Sequence, residues 1–66
     1  MTLTIKKHHT KTHYITMQAE GALLTVQACR LLGDHMCGYP ESKATYHHTE
    51  RKNAERTFRR YIKKYE

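Results

Sequence analysis

The sequence predicts an α+β domain in which three or four antiparallel strands form a meander and one C-terminal amphipathic helix packs across them. Three observations lead there. Apolar and polar residues alternate through the first half of the chain, as in half-buried strands. After Thr49 the apolar spacing becomes helical. The 66 residues leave room for one small core, since a chain this short buries only about 60% of the surface its unfolded form exposes.

The elements follow in order. Thr2 to Lys7 alternates, with Leu3 and Ile5 on one face, and His13 to Met17 alternates again, with Ile15 and Met17 together. His9-Thr10-Lys11-Thr12 between them is polar and of turn length, which would set His8 opposite His13. Residues 21–32 fit two patterns. A helix would gather Leu24, Ala28, Leu31 and Leu32 and stop at Gly33; a strand would gather Leu24, Val26, Ala28 and Leu32. The strand reading is preferred, because Glu20-Gly21 follows an alternating run and glycine supplies the positive φ of a tight hairpin turn. Gly33 to Ser42, with two glycines, Asp34 and Pro40, is expected to be a loop. Lys43 to His48 reads as a short strand.

The helix begins at Thr49, which is placed to cap it, with Glu50 in the first turn and Lys63 and Lys64 in the last, as the helix dipole favours. Ala54, Phe58, Tyr61, Ile62 and Tyr65 recur on one face, which the pattern assigns to the sheet. Lys52, Arg56, Arg59, Arg60 and Lys63 fall on the opposite arc. At 1.5 Å rise per residue this basic stripe runs about 16 Å, long enough for several successive phosphates. Arginine's planar fork matches phosphate geometry. Glu55, on the flank, is the one acidic residue that offsets it. Against the stripe stands the ordinary use of charge on an outward helix face for solubility.

Charge supports the binding reading. Twelve Lys/Arg face six Asp/Glu for a net +6. From Glu50 onward seven Lys/Arg oppose three Glu, so +4 of that +6 sits in the helical segment. Lys6, Lys7 and Lys11 extend the positive surface if their hairpin lies on the same side as the stripe. Tyr14 and Tyr46, on the strands, are candidates for stacking on unpaired bases, whereas the helix aromatics read more simply as core.

Six histidines and two cysteines raise metal binding. Their spacing matches no zinc pattern, with no CxxC and no HExxH, and adjacent histidines in a strand point to opposite faces. His8 and His13 with His47 or Cys37 would be the nearest approach to a site, and none is expected. Cys29 and Cys37 would meet if a hairpin turned near Gly33, yet the start of the chain lacks a secretory signal. A cytoplasmic location with reduced thiols is therefore the expectation. No stretch approaches a membrane span. Ser42 is the only serine and has no evident base, and the acidic residues show no paired spacing, so an enzyme is not expected.

The helix opening Thr49-Glu50-Arg51-Lys52-Asn53-Ala54, after a short sheet, resembles small sheet-plus-helix nucleic-acid modules over about residues 43–66. These are the N-terminal arm-binding domains of tyrosine recombinases and the second half of double-stranded-RNA-binding domains. The Gly-rich turn and Ser-Lys-Lys opening of the latter are missing, so no family residue is carried over. In size and basic balance the chain is also similar to small phage-encoded proteins such as anti-CRISPR inhibitors, which implies a nucleic-acid-handling protein complex as the alternative partner. The expectation is a basic, non-enzymatic binding protein without cofactor. It would engage nucleic acid or an acidic protein surface through its last helix, and its oligomeric state is open, a homodimer included.

Overall fold

The computed structural model describes residues 2–32 and 37–66. Four strands, β1 (Thr2–His9), β2 (His13–Glu20), β3 (Leu23–Leu31) and β4 (Cys37–His47), pair antiparallel in the order β1-β2-β3-β4. A short 3-10 turn, His48–Glu50, leads into helix α1 (Arg51–Tyr65). The fold is the expected α+β meander with one C-terminal helix, and residues 21–32 resolve in favour of a strand.

Turn chemistry explains the register. Glu20 pairs with Leu23 across the two-residue turn Gly21-Ala22, and Gly21 has φ +59° at the first central position, where a type II′ hairpin demands it. At the first hairpin, Thr10 N–H donates to the His13 carbonyl at 2.8 Å, and His13 N–H donates to the Thr10 hydroxyl at 2.9 Å. Thr10 thus opposes His13, while His8 lies opposite Ile15 and His9 opposite Tyr14. This corrects the expected His8–His13 pairing: the threonine hydroxyl closes the turn around itself and shifts the register by two residues. The shift removes the geometry in which those two imidazoles would have shared a metal.

The predicted loop from Gly33 to Ser42 is also corrected where it can be compared. β4 begins at Cys37 and runs through Pro40, which an edge strand tolerates. Residues 33–36, including His35 and the turn expected at Gly33, lie outside the described residues. Leu31 pairs with Cys37 and Cys29 with Pro40, so the two cysteines are not register partners. Cys29 is buried.

Ile15, Met17, Leu24, Val26 and Ala28 form the sheet side of the core, with Ala54 and Phe58 from α1. Ile5, Ala19, Tyr46, Tyr61, Ile62 and Tyr65 pack around them. Every apolar helix position expected to face the sheet does so. Burial of each large side chain contributes about 1.5–3 kcal/mol. Burial also pushes the Tyr61 phenol above its ordinary pKa, helped by Tyr46 and Tyr65 nearby.

Polar links fix the helix along its length. Tyr46 and Thr57 hydroxyls meet at 2.6 Å, as do those of Ser42 and Tyr65. Near the helix C-terminus the buried His13 ring stacks on Tyr65 at 4.0 Å, with its Nδ1 2.7 Å from the Thr12 hydroxyl and its Nε2 3.0 Å from Glu41. The helix start differs from expectation. Glu50 is the N-cap residue without a side-chain capping bond, and Thr49 instead lies in the 3-10 turn, its N–H directed to His47 Nδ1 at 3.4 Å. His48 N–H, bonded to the Ala22 carbonyl at 2.8 Å, ties this turn to the β2–β3 hairpin.

Candidate nucleic-acid interface

The helix positions its basic residues by default: with Ala54, Phe58 and Ile62 turned to the sheet, the opposite arc must face outward. Lys52, Arg56, Arg59, Arg60 and Lys63 are all exposed. None is a partner in the ion pairs within 4.0 Å among the described residues.

The flanking carboxylate is already engaged. Glu55 accepts from Lys6 Nζ of β1 at 3.3 Å and lies 3.7 Å from Arg51 Nε. The hydrogen bond and charge of Lys6 hold its pKa below the usual carboxylate value against an opposing desolvation, with smaller pulls from Arg51 and Arg59. Lys6 and Arg51 together neutralise the acid that would otherwise oppose the stripe. Lys52, Glu55, Arg56 and Arg59 line a shallow open depression on this side.

The hairpin lysines part company. A β-bulge lies between Thr4 and Lys6, so Lys6 reaches the helix side, whereas Lys7 pairs with Thr16 on the side away from it. Lys11 sits at the hairpin tip, where His8, His9, Thr10, Lys11 and Glu66 line an open hollow. The positive surface expected from Lys6, Lys7 and Lys11 is thus spread over three places. Neighbouring strand residues point to opposite faces, and the bulge, invisible to simple alternation, decides that Lys6 rather than Lys7 faces the helix.

The two candidate tyrosines also separate. Tyr46 belongs to the helix-covered face, half-buried with its hydroxyl on Thr57, so it is core packing rather than a stacking platform. Tyr14 lies on the helix-free face, half-buried and stacked on His9 at 4.3 Å and 25°. Alternation identified both as sheet residues; pairing of β4 with Leu24 and Val26 decides which face each takes.

Alternation alone does not single out the helix-free face as a whole. The register arranges it in cross-strand rows: Thr4, Gln18, Thr25 and Thr45 form one, and Lys7, Thr16, Gln27 and Lys43 the next. Tyr14 and His9 stand beyond the second row. Thr16 is 5% exposed, and among the described residues its hydroxyl has no hydrogen-bond partner.

Among the described residues no three His, Cys, Asp or Glu side chains converge as a metal site, and no helix is long and apolar enough to cross a membrane. No protein-family model matches the chain, and comparisons with curated proteins and with solved structures find no match either.

Proposed function

We propose that this chain is a small non-enzymatic nucleic-acid-binding protein whose helix stripe contacts the phosphate backbone. The observation that carries the reading is the combination of five exposed cations at Lys52, Arg56, Arg59, Arg60 and Lys63 with a neighbouring acid, Glu55, already held by Lys6 and Arg51. On a face built only for solubility, sequestering its one carboxylate gains only the small stability of a surface ion pair. A face built for phosphate gains more, because an uncompensated carboxylate would repel the ligand. Contact with phosphate is sequence-independent and releases counterions. The reading fits a cytoplasmic protein acting on nucleic acid or on a complex that carries it.

A mobility shift with random-sequence duplex DNA and with RNA, titrated in salt, tests this. Binding at low salt that weakens steeply as salt rises, and that is sharply weakened when the five cations are changed to alanine, is the expected result. Absence of binding at low salt, or binding indifferent to those substitutions, would leave a protein partner with an acidic surface as the better reading.

A further inference from the structure

The helix-free face of the sheet is a broad polar surface that the stripe does not use. We infer that it is a second nucleic-acid-contacting surface, so that one molecule links two nucleic-acid segments. This rests on the phosphate-binding reading of the helix.

Charge complementarity supplies the first argument. Lys7 and Lys43 stand at the two ends of one cross-strand row, joined through Thr16 and Gln27. Three strand spacings of about 4.8 Å put their Cα atoms roughly 14 Å apart. Both are exposed, and neither is in an ion pair among the described residues. The interior of the row carries a hydroxyl and an amide, groups that donate and accept and suit sugar hydroxyls, base edges and phosphate oxygens alike. An anionic, hydrogen-bonding polymer fits that pattern better than an apolar protein surface does.

The second argument is independent of charge. Thr16 lies inside this row, 5% exposed, with its hydroxyl unpartnered among the described residues. Its cross-strand neighbours, Lys7 and Gln27, have side chains long enough to swing away as they reach toward a ligand. A phosphate or base atom arriving between them would give the hydroxyl its missing partner. Tyr14, stacked on His9 one row further, adds an aromatic surface at the edge of the patch.

Geometry then requires two segments. The stripe and this face lie on opposite sides of the molecule, separated by the core of Ile15, Met17, Val26 and Phe58. A straight duplex cannot touch both.

The test tethers one random-sequence duplex to beads and offers a second, labelled duplex in solution. Wild-type protein should hold the second duplex at low salt and release it as salt rises. Lys7→Ala with Lys43→Ala should bind the tethered duplex within about threefold of wild type yet capture the second at least tenfold less. Those positions are exposed, so the fold is not at stake, and circular dichroism would register a change in it. Labelled single-stranded RNA or DNA in place of the second duplex forms another arm: its capture, lost on Tyr14→Ala, supports the inference and assigns the strand form. Wild-type protein that binds the tether but captures neither form overturns the inference and leaves the helix reading standing. Capture that persists in the double variant also overturns it, sedimentation then showing whether a dimer is responsible. Failure to bind the tether at all overturns the helix reading itself.

Discussion

At the scale of single residues, Glu55 is the side chain on which the electrostatics of the helix turn. Lys6 approaches it from the sheet edge and Arg51 from one turn earlier, and its depressed pKa follows from the Lys6 hydrogen bond before any other cause. A carboxyl with a folded pKa below its unfolded value, ordinarily 4.5, contributes stability that is fully present above the unfolded value and is lost as pH falls through the folded one. Wild type and Glu55→Gln should therefore differ in melting temperature at neutral pH and converge in strong acid, which thermal melts across pH would show. The pair is partly exposed, 42% for the Lys6 side chain and 27% for Glu55, so the difference will be small. The same substitution should tighten nucleic-acid binding at low salt, since it frees Lys6 and Arg51 to join the stripe. Arg56→Ala or Arg59→Ala should each lower the slope of log affinity against log salt by about 1 and weaken binding alike for all sequences. Tyr46→Phe, by contrast, removes a hydroxyl paired with Thr57. It should cost about 1 kcal/mol in chemical denaturation and leave binding unchanged.

At the scale of elements, the sheet is the fixed body and the helix depends on it. Ala54 and Phe58 are the buried residues of α1, and Glu50 at its start makes no capping bond, so packing rather than capping holds it. Phe58→Ala should cost about 3–5 kcal/mol, close to the whole stability of so small a domain. Loss of helical circular dichroism together with loss of nucleic-acid binding is the outcome that checks it. The meander and the helix face were legible in the sequence because both rest on periodicity: Ile15 and Met17 at period 2, Ala54, Phe58, Tyr61, Ile62 and Tyr65 at the helical period. What periodicity does not carry is register. The Thr10 hydroxyl that closes the first hairpin onto His13, the bulge that turns Lys6 rather than Lys7 toward the helix and the pairing that turns Tyr46 under the helix are each local hydrogen-bonding choices. Their effects propagate along a whole strand, because a slip or an extra residue changes which side chains share a face. The edge strands show the same economy: the bulge and the lysines of β1, and Pro40 in β4, discourage further strands from adding to the sheet.

At the scale of the whole molecule, the chain is a thin slab, 34 × 25 × 16 Å along its principal axes, with a basic helix on one broad side and a polar sheet face edged by lysines on the other. The five stripe residues were legible individually, since a helical wheel needs no tertiary information. That the nearby acid would be silenced from across the sheet was not, because Lys6 and Glu55 are 49 positions apart and meet only through folding. The central claim is that this stripe meets phosphate. It is tested most directly by the salt dependence of duplex binding in wild type and in the variant with Lys52, Arg56, Arg59, Arg60 and Lys63 all changed to alanine. Five phosphate contacts predict a wild-type slope of log affinity against log salt steeper than the variant's by about 4.5, the variant keeping only what the sheet face contributes. A wild-type slope near zero, or one that the five substitutions leave in place, would contradict the account.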